Sequence, residues 1–489
     1  MMGGAVLIIA FFMLLPLVMG FYAGSKSIPT TEDYFVQGRG MGSIAVFFTV
    51  AATWWSAFAF LGSNAFFFTR GPLYWTAIGW NILFGILYFV IGKRVWHFGK
   101  LNKYITPKDF FVHQYGSKFL GNIITVMMLV FTIPYLQIQL TGGAYLIETA
   151  SGGIITFPIA ALLFYLVIII YVWAGGVRAV AWTDIFYGIV LFFGMVFAGF
   201  YIASLLGGYT SMFEMIREVK PEHLVLQEGA WMQWLAMFIV TPVGAFMGPQ
   251  MWTRMYAVKS GKLFNLMPFL LGFAAIAYIG SMLVGNSAVI LIDEIAQPDR
   301  VLPTMLFEHA PFMLASFIIG CGAAAAMSTA NSQIHAMSAV YTVDVHRTYV
   351  NKDMSERGLV WVGRITILIL SAFAYIMCLF VTDLLVTVGM VAMGGTALVM
   401  VPTVGALFWK RSTPAGAIAC LLVGSALLFW YRLPFLPGVP PGPFAAGGGE
   451  LLPLLVGIVV FVVVSLLTPP RPQKLIDEIN EQYAKLYEE

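Results

Sequence analysis

The chain has 489 residues, of which 60% are hydrophobic and only 10% charged. No soluble fold of that length hides so much apolar surface, which excludes water-soluble enzymes and nucleic-acid-binding proteins and implies an all-α integral membrane protein whose surroundings are the lipid bilayer. The net charge of +3 points to no polyanionic partner, and Cys321, Cys378 and Cys420 all lie in apolar runs, so no disulfide framework is implied.

Windows of about 19 residues predict thirteen membrane spans. The first covers 3–24 and is read as a retained helix, because no basic residue precedes it and no small-residue cleavage site follows. Residues 30–42, TTEDYFVQGRGMG, form an interfacial loop. The second span, 43–69, carries AATWWSAFAFLG at its centre. Trp54 and Trp55 there lie away from the interface belt where tryptophan usually sits, either as ligand-lining rings or as tight packing. The third span, 71–95, holds Tyr74, Trp75 and Asn81, and a basic loop with a short helix from Pro107 follows it. The fourth, 119–150, places two amides in hydrocarbon, Gln137 and Gln139. Each needs a partner, supplied by a neighbouring helix or by a ligand.

The fifth span, 155–175, ends at Gly175-Gly176, and the sixth, 178–207, brings in Asp184. That carboxylate is suited to an ion pair, a helix cap or a bound cation; Arg178, six residues away, does not share its helical face. The seventh span, 231–252, is interrupted by Pro242, Gly244, Gly248 and Pro249. Such a break is tolerated only against protein or a wet cavity, and it points to a transport site. Arg254 and Lys259 are expected beyond it on the cytoplasmic side, which leaves no lysine or arginine at mid-membrane. Span 264–292 leads into an acidic outer loop, Asp293–Glu308.

The ninth span, 311–345, is apolar except for an unusual centre. Ala325, Ser328, Thr329 and Ser332 recur at i, i+3, i+4 and i+7, so they share one face. That face offers hydroxyl and carbonyl oxygens without charge, which suits a desolvated Na⁺. Small and hydroxyl residues also serve as glue between membrane helices. His335 is expected to be a hydrogen-bonded interior histidine rather than a proton carrier. Spans 358–382, 387–409, 413–433 and 450–468 complete the set, with a Pro/Gly-rich outer cover at 433–449 and a helical tail at 469–489.

With the N-terminus outside, strict alternation puts 20 of the 26 basic residues on the inner side and 5 outside, which supports the span count and a cytoplasmic C-terminus. Spans 2–6 and 7–11 make two groups of five, each opening on a small-residue-rich or broken helix. Five is odd, so the groups have opposite orientation, as in transporters built on inverted repeats. The expected units are therefore 1–42 (N-terminal helix and loop), 43–207 (first repeat), 231–409 (second repeat), 410–468 (two further spans) and 469–489 (tail). No GxxxxGK[ST] loop, HExxH, CxxC, arginine-rich sensor helix or TVGYG filter is present, which argues against an ATP-driven pump, a metal enzyme and a channel. No catalytic constellation of any kind is visible, so the chain reads as a non-enzyme.

The chain resembles the sodium/solute symporter family. The markers are TEDYFVQGRGMG, AATWWSA, GGVRAVAWTD, GPQMWTRMYAVKS and AAAMSTANSQ with a following YTVDV, in that order across nearly the whole length. The resemblance implies the five-plus-five inverted-repeat fold of leucine-type transporters with flanking helices. It implies a sodium site made by the backbone of Ala52, Trp55 and Ala325 with the hydroxyls of Ser328 and Thr329. A second sodium site, present in some members, would fall on Asp184, Ser328, Asn331 and Ser332; Asn331 departs from the hydroxyl expected there. Substrate contacts would come from Trp54, Ser56, Gln137, Thr241 and Phe246, and tryptophan at 54 argues for a compact or partly apolar ligand.

The expected activity is sodium-coupled import of a small organic solute across the inner membrane by alternating access, with a monocarboxylate as first choice. Pantothenate or a proline-like amino acid is the alternative within that activity. Proton coupling through Asp184 or His335, and a membrane sensor that binds a small molecule without moving it, are the competing readings.

Overall fold

In a bilayer every backbone N–H and C=O must be satisfied within the protein, so a chain this apolar is confined to helices or a closed barrel. The computed structural model describes residues 2–25, 28, 30–380, 384–432 and 449–487. Among them the structure is helical throughout and has no strand; one isolated bridge pairs Met41 with Val258. The outer cover expected over 433–449 lies outside the described residues but for its last position.

The elements that matter for the site are these. Helix α1 is Met2–Gly24, α2 is Ser43–Trp54, α3 is Ser63–Arg70, α4 is Thr76–Leu87, α5 is Lys118–Ala150 and α6 is Phe157–Leu205. Helices α7, Trp231–Met247, and α8, Pro249–Ala257, are the two arms of a broken span; α9 is Ile276–Leu291 and α10 is Phe312–Ala339. Helix α11 is Glu356–Phe380, α12 is Leu385–Ala397, α13 is Pro414–Arg432, α14 is Leu451–Leu467 and α15 is Gln473–Ala484. Eight helices among the described residues are long and apolar enough to cross a membrane, or nine when α7 and α8 count as one span.

Three of the breaks fall where the sequence puts glycine or proline. Gly176 takes φ +55°, ψ −156° inside α6 and divides it into two apolar segments. Gly71 takes φ +49°, and a Cβ there would lie 2.3 Å from the His223 carbonyl oxygen, so only glycine makes that turn. At Gly248 the backbone becomes extended and α8 leaves α7 at 56°.

Burial sorts the helices into centre and rim. In Phe312–Val350, which contains α10, 78% of the most apolar window is buried, and in Leu385–Phe408, which contains α12, 89%. The figure is 33% for α11 and for Pro414–Tyr431. A helix enclosed all round is a core helix, and α10 is buried at every position from Ile318 to Ala339.

Backbones approach closely where side chains vanish. A Cβ on Gly280 would stand 2.1 Å from the Met195 carbonyl oxygen, and one on Gly199 would stand 2.3 Å from the Gly280 carbonyl oxygen, so α6 and α9 cross at paired glycines. Gly280→Ala is therefore expected to cost about 1–3 kcal/mol through overpacking. Gly272→Ala, whose nearest neighbour would be Ile82 at 3.6 Å, is expected to be neutral or mildly stabilising. Thermal unfolding of the two detergent-solubilised variants checks this; equal midpoints would contradict the crossing.

Candidate functional site

The second expected span is broken just where its small residues and tryptophans crowd. Helix α2 stops after Trp54, and Trp55 takes φ −81°, ψ 73°, outside the helical range. The amides this frees are met one by one. Ala57 N–H donates to Gln139 Oε1 at 2.9 Å, and Phe58 N–H donates to Ser56 Oγ at 3.1 Å. On the carbonyl side, Thr53 O accepts from Thr329 Oγ1 on α10 at 3.0 Å. The hydroxyl face of α10 thus lies against the unwound end of α2.

Next to this contact is a buried polar network. Asp184, on the second segment of α6, is fully enclosed. Its Oδ1 accepts from Ser328 Oγ at 2.5 Å, and its Oδ2 accepts from the Thr49 hydroxyl and from Arg254 Nη2, the latter at 3.2 Å. Arg254, on α8, is 2% exposed. Its Nε donates to Thr49 Oγ1 at 3.0 Å and Thr49 O at 3.2 Å, its Nη1 to Gln250 O at 2.9 Å, and its Nη2 also to Ser332 Oγ. Ser332 Oγ donates to Ser328 O at 2.9 Å and lies 3.2 Å from Thr53 Oγ1. Four elements, α2, α6, α8 and α10, therefore meet on one carboxylate and one guanidinium. A buried charge is tolerated only when paired and hydrogen-bonded in this way.

The residues expected to ligate a first sodium ion, Ala52, Trp55, Ala325, Ser328 and Thr329, are all buried, and among them Thr329 reaches the end of α2 through Thr53 O. The Trp55 ring turns toward α6, 5.9 Å from Phe192, so what Trp55 offers the junction is its backbone. Of the second set, Asp184, Ser328 and Ser332 converge in the network, and Asn331 is buried beside them on α10.

The residues expected to touch substrate divide. The Trp54 ring stacks on Phe84 at 4.6 Å, and its N–H donates to Asn81. Phe84 meets Phe246 edge-on at 5.9 Å, so Trp54 and Phe246 belong to one aromatic cluster. Ser56 Oγ lies 3.4 Å from the Tyr135 hydroxyl, and the Thr241 hydroxyl contacts Met390 Sδ at 3.0 Å. Gln137 is not brought to the break. Two residues apart on a helix means nearly opposite faces, and Gln139 holds the one that meets the break, though both amides are buried. Gln137 Nε2 bonds to Thr141, one turn along its own helix, at 3.3 Å.

One expectation about charge is corrected. Arg254 is not a solvated cytoplasmic residue but the ion-pair partner of Asp184 inside the bundle. Its placement follows from the 56° bend between α7 and α8, after which Arg254 reaches Thr49 of α2. Arg178 pairs with Asp33 at 2.7 Å, and His335 Nε2 is hydrogen-bonded to Tyr34 O at 2.9 Å. Thr49 and Thr53 also passed unremarked in the sequence. Their i, i+4 spacing on one face of α2 was the available signal.

Comparison with known proteins gives a coherent set. The model of the sodium:solute symporter family matches residues 34–424. The osmoregulated proline transporter OpuE of Bacillus subtilis is 25% identical over 460 residues, covering 91% of this chain and 92% of its own. The sodium/pantothenate symporter of Haemophilus influenzae is 26% identical, covering 80% of this chain and 82% of its own. The solved structure of a Na⁺-coupled sialic acid symporter in a substrate-bound outward-open state superposes with a TM-score of 0.81 at 17% identity, covering 96% of this chain and 99% of its own.

Because the Asp184–Arg254 pair is enclosed, removing one partner strands the other. Asp184→Ala is expected to destabilise the protein by about 3–5 kcal/mol. The double variant Asp184→Ala/Arg254→Met is expected to recover most of that loss. Thermal unfolding of the single and double variants measures the coupling, and additive losses would show that the two residues do not act as a unit.

Proposed function

The chain belongs to the sodium:solute symporter family, and from that premise we propose how it carries out sodium-coupled import. It is a multi-pass plasma-membrane protein whose co-transported ion is sodium. Our reading adds the architecture. The eight long helices and the bent pair, with the shorter apolar helices Val6–Tyr22, Ser43–Trp54, Phe157–Ile170 and Leu451–Leu467, make thirteen spans. Residues 43–207 and 231–409 form the two inverted repeats, residues 410–468 add two spans, the N-terminus lies outside and the C-terminus is cytoplasmic.

The sodium ion binds at the junction of α2 and α10, on the backbone of Ala52, Trp55 and Ala325 and the hydroxyls of Ser328 and Thr329. The observation that carries this is the 3.0 Å contact of Thr329 Oγ1 with Thr53 O at the unwound end of α2. It sets hydroxyl and carbonyl oxygens facing each other inside the protein. Sodium favours the outward-open state, solute binding lets the outer side close, and the ion leaves into a low-sodium cytoplasm. The membrane potential adds about 2.3 kcal/mol per charge per 100 mV. The ion drives the cycle only by binding one state more tightly than the other.

For the solute we propose a small monocarboxylate. Proline, pantothenate and sialic acid, named for the relatives and the structural neighbour, each carry a carboxylate. Here Arg254 is already committed to Asp184, so the carboxylate is held by sodium and by the N-terminal ends of the broken helices. The apolar part lies against the Trp54–Phe84–Phe246 rings, near Ser56 and Thr241. Proton coupling is disfavoured by the same geometry, since Asp184 is ion-paired and His335 is hydrogen-bonded to a backbone carbonyl.

A thermal-shift screen of small monocarboxylates, proline and pantothenate, with sodium or choline as the cation, identifies the ligand by mass action. In proteoliposomes preloaded with potassium, uptake of that ligand is expected to require external sodium. Thr329→Ala and Ser328→Ala are expected to raise the sodium concentration for half-maximal uptake by at least about tenfold, equivalent to about 1.4 kcal/mol. Uptake with an unaltered sodium requirement in both variants would remove the ion from this junction.

A further inference from the structure

We propose that the guanidinium of Arg254 takes the place of a second sodium ion, so that this chain carries one sodium per cycle. The inference rests on the symport reading above and concerns the residues of the expected second site.

Those residues do not offer a vacant oxygen cage. Arg254 Nη2 sits 3.2 Å from Asp184 Oδ2 and donates to Ser332 Oγ, so it engages two of the side chains that a second ion would use. Ser328 Oγ, the third, donates to Asp184 Oδ1 at 2.5 Å, and its lone pairs are left for the ion at the junction of α2 and α10. The remaining guanidinium nitrogens meet Thr49 Oγ1, Thr49 O and Gln250 O at 3.0, 3.2 and 2.9 Å. This donor set is what a small hard cation would seek: one carboxylate, two hydroxyls and two carbonyls, all enclosed. The charge balance is already closed, because one guanidinium neutralises one carboxylate. A sodium ion added here would face a fixed like charge at contact distance in a medium that screens poorly.

A tethered cation differs from a diffusible one in a way that matters for transport. Arg254 is bonded back to Gln250 on its own helix, α8, and cannot be released to the cytoplasm. It supplies the positive charge that holds α2, α6 and α10 together without being consumed in the cycle. An ordinary structural ion pair would hold the same helices but would not be replaceable by sodium, and that difference makes the proposal testable.

The probe is ²²Na⁺, measured by scintillation proximity on the full-length purified chain in nanodiscs, with choline as the balancing cation and no solute. The wild-type chain is expected to bind one sodium ion with a Hill coefficient near 1. Arg254→Gln is expected to bind two, and sodium is expected to raise its unfolding temperature more than that of the wild type. Asp184→Asn in the Arg254→Gln background is expected to return the count to one. Arg254→Lys, which keeps the charge, is expected to stay at one. Two ions in the wild type, or one in a folded Arg254→Gln chain, would overturn the proposal. If Arg254→Gln folds poorly, its folded fraction is expected to rise with sodium and not with choline, and a folded fraction indifferent to sodium would overturn the proposal. No specific sodium binding in the wild type would instead overturn the symport reading itself.

Discussion

The structure is organised around a charge that has to be buried. Asp184 sits where water does not reach, on a helix that is largely apolar beyond it, and an isolated carboxylate there would be prohibitively costly. Its burial is possible because Ser328, Thr49 and Arg254 converge on its two oxygens from three other elements. Thr49 and Arg254 are in turn fixed by further contacts. Arg254 is held by Gln250 O and Thr49 O, and the turn of α10 that carries Ser328 is closed by the bond from Ser332 to the Ser328 carbonyl. The network is therefore a clamp: none of the four elements can move relative to the others without leaving a charge or a donor unpaired.

Two broken helices lie against this clamp, and each is permitted by neighbours that supply what the break removes. At the end of α2, Gln139 and Ser56 take up the freed amides and Thr329 takes up a freed carbonyl. In α7, Thr396 donates to Gly244 O at 2.8 Å, while the missing side chain of Gly244 admits the Met393 carbonyl, which would lie 2.0 Å from a Cβ. Irregular backbone at this depth has to be enclosed by protein, and the two most buried helices, α10 and α12, provide the enclosure. Ser328 and Thr329 of α10 thus satisfy the carboxylate and the backbone of their neighbours.

Much of the fold was legible in the sequence because hydropathy and chain-breaking residues report directly on one dimension. The divisions at Gly176 and at Gly248-Pro249 fall where glycine and proline announced them. What stayed hidden depends on rotation about a helix axis or on a fold-back of the chain. Gln137 and Gln139 are equivalent in composition, and only the absolute orientation of α5 decides that Gln139 faces the break. Arg254 looked like a positive end marker because basic residues normally close an inner helix end. A 56° bend then carried it against the neighbouring helices, where the same charge serves an opposite purpose. The hydroxyl face of α10 was visible as a pattern, whereas its division between Thr53 O and Asp184 needed the neighbours in place.

That division bears on how ion and conformation are linked. Thr329 and Ser328 are consecutive on α10, yet one hydroxyl points to the end of α2 and the other to Asp184. An ion that uses both hydroxyls would sit between the α2 junction and the clamp, and it would bias both at once. In the proposed cycle α8 moves away from α2 and α10 as the cytoplasmic side opens, and the Arg254 bonds to Thr49 and Ser332 oppose that movement. The end of α8 and the residues just after it are tied to the loop ahead of α2 by 3.0 Å backbone bonds, Met41 N–H to Ala257 O and Lys259 N–H to Met41 O. In the proposed cycle sodium does not push the helices apart. It sets the cost of parting them, because the serine it shares with the carboxylate cannot serve both partners equally in both states.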